Sequence, residues 1–295
     1  LVEGVHFDLA FTPLKHLGYK AVAVNVSDIA AMYGFPKQLT VSIGVSNRFS
    51  VEAVDALYDG IKMACEAYEV DLVGGDTTAS ASGIVISVTI LGEVDKDKLV
   101  KRNSAKEKEI ICVTGDLGAA YMGLLVLERE KQVFKANPDM QPSLEGLDYI
   151  LERQLKPEAR KDIANMLKGI KVKATSMIDI SDGLASDIMH ICKGSKLGCN
   201  IYTDKLPIDT VTINVASEFQ IDPNTSVMNG GEDYELLFTI RQDDYEKIKD
   251  ISGISVVGHM TDEASGMQLL TPDGLSVELK ALGWDSLKED TPDKT

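Results

Sequence analysis

Lys20-Ala-Val-Ala-Val-Asn-Val-Ser-Asp-Ile-Ala-Ala-Met-Tyr33 is the stretch on which the fold turns. Its first half, residues 20–25, reads as a strand that runs into a helix. Its second half, residues 28–33, reads as a helix, with Ser27 or Asp28 placed to cap the free N–H groups. An acid beside Ser, Thr or Gly at the end of an apolar run then recurs along the chain. Gly74-Gly-Asp-Thr-Thr78, Asp179-Ile-Ser-Asp-Gly183 and Gly230-Gly-Glu-Asp233 repeat the pattern of Asn25-Val-Ser-Asp28. Carboxylates scattered over distant segments in this way suggest one polar site that holds divalent cations and phosphates.

Outward from that stretch, residues 39–45 and 83–91 alternate at period two and predict strands. Between them, Val54, Leu57, Ile61, Ala64 and Cys65 recur at helical spacing and predict an amphipathic helix over 51–68. It feeds a strand at 70–73 and then Gly74 and Gly75, read as a tight turn that lets backbone approach a ligand. A charged run over 94–109 follows, and the domain boundary is placed near 105, dividing the chain into 1–105 and 106–295. The second part opens with a strand at 110–114, a Gly115-Asp-Leu-Gly118 turn and a helix to about residue 129. A polar segment rich in Pro, Asn, Asp and Ser then reads as loop. Ser176 to Asp182 is strand-like, and Leu184, Ile188, Ile191 and Cys192 continue on one helical face. Further strands are expected at 234–240, 254–258 and 266–270. Mixed elements in two blocks predict α/β and α+β domains.

The bulk numbers narrow the chemistry. Of 295 residues, 44% are hydrophobic, and 46 Asp and Glu outweigh 30 Lys and Arg to give a formal charge of −16. That charge repels nucleic acid and anionic membranes, so neither is expected as a partner. An acidic protein that binds an anionic substrate needs cations between the two, and oxygen-rich clusters suit Mg²⁺. Cys65, Cys112, Cys192 and Cys199 form no C-x2-C pair, which leaves reduced thiols in a cytoplasmic protein as the plain reading. No apolar run is long enough to span a bilayer. Leu1 already lies in the extended apolar stretch Leu1-Val-Glu-Gly-Val-His-Phe7, from which an upstream portion is expected.

Each motif also has a plain structural reading. Asp179 and Ser181 share one face of an extended strand, and Asp182 would begin the next helix. That is a site for metal and phosphate together or an ordinary capping arrangement. Gly-Asp is a common turn pair, and Glu232 with Asp233 could be a solvated turn. His6 reads by default as a half-buried strand histidine, and Trp284 as a packing residue that could also stack on a heteroaromatic ring. Neither a G-x-x-x-x-G-K-[ST] nor a G-x-G-x-x-G signature follows a strand. Bound ATP would therefore rest on metal-bridged carboxylates, with Arg102 as a direct cationic contact.

In this order the motifs resemble the thiamine-monophosphate kinase family. The matching text is residues 1–7, Ala23-Val-Asn-Val-Ser-Asp-Ile-Ala-Ala-Met32, Val73-Gly-Gly-Asp-Thr-Thr78, Val113-Thr-Gly-Asp-Leu-Gly118, Ile178-Asp-Ile-Ser-Asp-Gly-Leu184 and Gly230-Gly-Glu-Asp-Tyr-Glu-Leu236. The resemblance implies the two-domain aminoimidazole-ribonucleotide synthetase-like architecture, whose N-terminal domains, here 1–105, bind ATP and Mg²⁺ and dimerise their sheets into a barrel. It implies a homodimeric kinase that transfers phosphate from ATP to thiamine monophosphate, giving thiamine diphosphate with no covalent enzyme intermediate. By the same resemblance, Asp28, Asp76, Asp179 and Asp182 are Mg²⁺ ligands, and Gly75, Asp76, Arg102 and Ser181 contact ATP. His6, Glu232 and Trp284 contact thiamine monophosphate. An Asp-Asp motif and a Thr-Asp pair, further ligands in the family, are expected upstream of Leu1. The alternatives are a sibling ATP-dependent synthetase of the superfamily, or a non-catalytic ATP-binding maturation or scaffold protein.

Overall fold

A computed structural model describes residues 1–281. The stretch read as strand then helix is one helix, α1 (Leu14–Ala31), and this corrects the strand expected at 20–25. The alternation of Ala and Val there is not a strand's two-faced pattern. Leu17 and the whole run from Tyr19 to Ala23 are buried, so α1 is enclosed on most sides and carries no clean polar stripe. Nor do Ser27 and Asp28 cap it: the helix already begins after Pro13, and both lie near its C-terminal end.

The remainder of the first unit follows the expected order: β1 (Phe35–Val45), α2 (Val51–Tyr68), β2 (Asp71–Ala79) and β3 (Ile84–Glu93). Ser50 caps α2 by accepting the Ala53 N–H. The strands form a three-stranded sheet in the order β2-β1-β3, with β1–β2 parallel and β1–β3 antiparallel. Leu39, Val41 and Ile43 of β1 join Ile84 and Ile86 of β3 and the apolar faces of α1 and α2 in one core. The two helices approach closely through a pair of glycines. A Cβ built on Gly18 would lie 2.0 Å from the Leu57 carbonyl oxygen, and one on Gly60 would lie 1.9 Å from that of Lys15.

The second unit comprises β4 (Ile110–Thr114), α3 (Ala119–Ala136), α4 (Asp148–Leu155), α5 (Ile163–Gly169), β5 (Ser176–Asp179), α6 (Leu184–Ser195), β6 (Gly198–Tyr202), α7 (Thr210–Glu218), α8 (Pro223–Asn229), β7 (Leu236–Ile240), β8 (Ile254–Thr261), β9 (Met267–Leu270) and β10 (Ser276–Glu278). Its sheet is seven-stranded, ordered β10-β9-β6-β8-β4-β7-β5. The helix α4 lies in text that composition marked as loop. It is one short amphipathic turn-pair that buries Ile150 and Gln154, too brief for periodicity to reveal.

The two units share a core. Ala30 and Ala31 at the end of α1, with Val100, pack against Cys112, Met177, Leu236 and Phe238 of the larger sheet. The sheet end where β5 and β7 pair, Asp179 opposite Leu236, is thereby set against α1. Gly18→Ala is expected to force α1 and α2 apart and destabilise the protein by about 1–3 kcal/mol. Urea denaturation, with the midpoint lowered at unchanged slope, checks this.

Candidate active site

Three hydrogen bonds tie the acidic motifs to one another and to α1. The Ser27 hydroxyl donates to Asp179 Oδ2 at 2.7 Å, fixing the carboxylate at the end of β5 against the helix. The Glu232 N–H donates to the Ser181 carbonyl at 2.8 Å, so the Gly-Gly-Glu-Asp loop lies on the Asp-Ile-Ser-Asp loop. Lys20 Nζ then donates to Glu232 Oε2 at 3.0 Å and closes the ring. Gly231 makes the contact between the loops possible: its φ is 71°, and a Cβ there would lie 2.6 Å from the Ser181 carbonyl oxygen. Lys20 and Ser27 stand about two helical turns apart, so both project from nearly the same side of α1, separated by roughly 10 Å of axial rise.

Two members of this ring, Asp179 and Glu232, each line a cleft. The first, of about 710 Å³, is lined by Asp28, Lys101, Arg102, Asn103 and Asp179 together with Met32, Leu99, Val100 and Met177. The expected metal and ATP residues Asp28, Asp179 and Arg102 are thus brought to one wall system. Burial pushes the Asp179 pKa from 3.8 up to about 6, with Asp28 and Asp182 adding like-charge repulsion and the Ser27 bond opposing it. Burial also raises Asp28. Asp182 is exposed just before α6, and it does not begin that helix: Gly183, with φ 101°, occupies the N-cap position. The acid of the first turn is Asp187, whose Oδ2 accepts both the Ser181 and the Asp182 N–H, at 3.1 and 3.2 Å. Burial is the main reason its pKa rises to about 8.

The second cleft, about 360 Å³, brings together His6 and Glu232, with Tyr121, Glu128, Lys131 and Gln154 in its walls. His6 is not the half-buried strand histidine expected. It is exposed in a turn opened by Gly4 at φ 78°, and its Nδ1 accepts the Val2 N–H at 3.1 Å, which leaves the ring proton on Nε2. Lys131 ties this amino-terminal segment to α3 through Asp8. Glu232 is the only acid of its loop turned to the cleft. Asp233 accepts the Gly118 N–H at 2.9 Å, and Glu235 takes Arg153 and Arg160 at 2.8 and 2.7 Å, all within the protein. Burial pushes Asp233 up to about 7 despite the nearby Arg153.

Gly75 and Asp76 lie elsewhere. Gly74-Gly-Asp-Thr-Thr78 is not a turn but the body of β2, at the edge of the smaller sheet, exposed from Val73 to Ala79. Gly75 serves strand packing: a Cβ there would lie 1.9 Å from the Val41 carbonyl oxygen of β1. Asp76 faces solvent and does not line the cleft of Asp28 and Asp179. Trp284 lies outside the described residues. Among the described residues no group of three or more His, Cys, Asp or Glu side chains converges to hold a metal ion. The carboxylates of the larger cleft repel one another, which suits a cation, and supply only part of a coordination shell.

The amino-terminal residues 1–94 match the family model for AIR synthase related protein, N-terminal domain. A thiamine-monophosphate kinase from Bacillus subtilis is 33% identical over 98% of this chain and 86% of its own length. The chain belongs to the thiamine-monophosphate kinase family. A kinase of the same name from Aquifex aeolicus is 34% identical, with 96% of this chain and 85% of that protein covered. Among solved structures, AaThiL complexed with AMPPCP and TMP superposes with a TM-score of 0.81 at 32% identity, covering 96% of this chain and 84% of that one. The E. coli hydrogenase maturation protein HypE superposes at 0.77 but is 16% identical, a likeness of fold alone, over 96% of this chain and 84% of HypE.

Within this family member, motif reading missed Lys20, Ser27 as an Asp179 partner, Gln154 and Asp187. Lys20 is hidden by its strand-like context, and Gln154 by the brevity of α4. Asp187 alone carried a signal, as an acid in the first turn of a helix. Because Asp179 binds a proton more readily folded than unfolded, its burial costs stability as pH rises from about 4 to 6, and the full cost, at most about 3 kcal/mol, persists above that. Asp179→Asn is therefore expected to stabilise the metal-free protein at pH 8 by about 1–3 kcal/mol, with no gain near pH 4. Urea denaturation in a chelator at both pH values measures it.

Proposed function

We propose that the chain catalyses ATP-dependent phosphorylation of thiamine monophosphate to thiamine diphosphate. The observation that carries this reading is the hydrogen-bonded ring through α1 that joins Asp179, in the lining of the acidic cleft, to Glu232, in the lining of the His6 cleft. Two anions that must meet can be held on the two sides of one rigid seam. Family membership supports the reading, as does the relative complexed with AMPPCP and TMP together.

The acceptor phosphate is already a nucleophile. In-line attack of its oxygen on the γ-phosphorus forms the new P–O bond as the bond to the ADP leaving group breaks, so the protein's task is position and charge. Asp28, Asp179 and Asp182 are the residues that would hold Mg²⁺, with Asp76 assigned to the same role by resemblance. When bound, the ion supplies charge neutralisation of the polyphosphate. Arg102, in the lining of the larger cleft, is placed to pair with phosphate oxygens, and Ser181, whose carbonyl accepts the Glu232 N–H, is assigned to ATP by resemblance. Gly75, beside Asp76, belongs with the ATP contacts. His6 offers an N–H and Glu232 a carboxylate to the acceptor's polar ring atoms, with Trp284 as a stacking surface.

Residues 1–105 and 106–295 are the two domains, and the smaller sheet is the dimer surface. Support for the latter comes from its uncovered side, where Val73, Val85 and Leu91 are exposed beside an open edge strand. Closure of two such sheets would also supply β2, with Gly75 and Asp76, with a partner. The setting is the cytoplasm, where the cysteines, all buried free thiols, stay reduced. No helix among the described residues is long and apolar enough to cross a membrane.

A coupled ADP-release assay with thiamine monophosphate tests the reading. Asp28→Ala and Asp179→Ala are each expected to lower turnover by about 100-fold or more at saturating Mg²⁺ while far-UV circular dichroism is kept. Wild-type rates in either variant would remove these acids from the reaction. ATP binding without thiamine-dependent ADP release in the full chain would favour the non-catalytic maturation reading.

A further inference from the structure

Lys20 is a charged side chain where the helix surroundings call for an apolar one. It is 2% exposed and flanked on α1 by the buried Tyr19, Ala21, Val22 and Ala23. Removing an ammonium from water costs several kcal/mol unless partners replace the lost hydration. The partners are few and directed. Nζ donates to the Gln154 carbonyl oxygen at 3.0 Å and to Glu232 Oε2 at 3.0 Å.

Gln154 completes the arrangement. Its Nε2 donates to the same Oε2 of Glu232 at 2.8 Å, and its own Oε1 stays buried with no hydrogen-bond partner among the described residues. The amide is thus turned toward Glu232 although the opposite end goes unsatisfied, an orientation that the carboxylate alone explains. The backbone of Glu232 is fixed as well, in the left-handed region at φ 59° with its N–H on Ser181. Both donors fall on one carboxylate oxygen. Among the described residues Oε1 carries no hydrogen bond, and Glu232 borders the cleft shared with His6 and Tyr121.

We propose that Lys20 is a positioning residue that, with Gln154, clamps Oε2 of Glu232 so that Oε1 is presented to an N–H donor on the heteroaromatic part of the phosphate acceptor. The inference deepens the functional reading above and rests on it. A carboxylate held by two donors on one oxygen keeps a single orientation, and an acceptor lacking the matching N–H would leave that group unpaired. Lys20 selects the acceptor through Glu232 and touches neither substrate. Its effect therefore falls on acceptor binding rather than on ATP.

Steady-state kinetics of the full chain with each substrate varied in turn separates the possibilities. Lys20→Met is expected to raise KM for thiamine monophosphate about tenfold or more, with KM for ATP within about twofold, and Lys20→Arg to recover part of the loss. Gln154→Leu, which removes no charge, is expected to move the same constant in the same direction by less. Lys20→Met combined with Glu232→Gln should be no worse than the poorer single variant, since both act on one interaction. A change in both KM values alike, or additive losses in the double variant, would overturn the clamp. If Glu232→Gln raises the acceptor KM while Lys20→Met and Gln154→Leu do not, the clamp fails and the functional reading stands. If Glu232→Gln itself leaves the acceptor KM unchanged, the clamp and the acceptor role of Glu232 both fail; only the absence of ADP release with thiamine monophosphate in the unaltered chain overturns the functional reading. Should Lys20→Met not fold, the Lys20→Arg and Gln154→Leu constants decide.

Discussion

A buried ammonium, a buried hydroxyl and a loop N–H make the seam on which the rest of this site depends. Ser27 holds Asp179, Ser181 receives Glu232, and Lys20 holds Glu232 in turn. Each bond alone is worth about 1 kcal/mol or somewhat more where a charge takes part. Their geometric effect is larger than that sum. They tie α1, which lines the larger cleft through Asp28 and Ala31, to Glu232 in the lining of the smaller one.

The arrangement divides acids that look alike in sequence into different tasks. In Gly230-Gly-Glu-Asp-Tyr-Glu235, Glu232 borders a cleft, whereas Asp233 and Glu235 are spent on Gly118, Arg153 and Arg160 inside the protein. Neighbouring residues of α4 act on both sets, since Arg153 takes the structural acids and Gln154 the one that borders the cleft. The Gly115-Asp-Leu-Gly118 turn is drawn in as well. A Cβ on Gly115 would lie 2.2 Å from Glu235 Oε1, so the glycine there makes room for the ion pairs rather than for a ligand. Near Asp179, Asp187 plays a comparable supporting part by taking the N–H groups of Ser181 and Asp182.

Much of the framework was legible from pattern because it obeys simple periods. The helix over 51–68 shows one apolar face, and the strands at 39–45 and 84–91 alternate because one side of their sheet is covered. The errors fall where that condition fails. Residues 20–23 are all buried in a helix that packs on α2, β3 and β5, so their apolar text has no face to reveal. Gly74 and Gly75 resemble a turn, yet they sit within β2, where close approach to Val41 is what requires the missing side chain. Composition likewise concealed α4, whose short length left too few turns to establish a period.

By itself, the sequence determined the chemistry available: which acids end apolar runs, that little positive charge accompanies them, and that their order matches one kinase family. Those are properties of residue type and spacing, and they survive without coordinates. Only the tertiary structure decided which acids meet. Asp28 and Asp179 reach one cleft and Glu232 joins His6 in another, while Asp76 stands apart on an edge strand. The physical reason is that hydrogen bonds such as Lys20 to Glu232 or Ser27 to Asp179 join residues far apart along the chain. No local period records a partner brought near by packing alone.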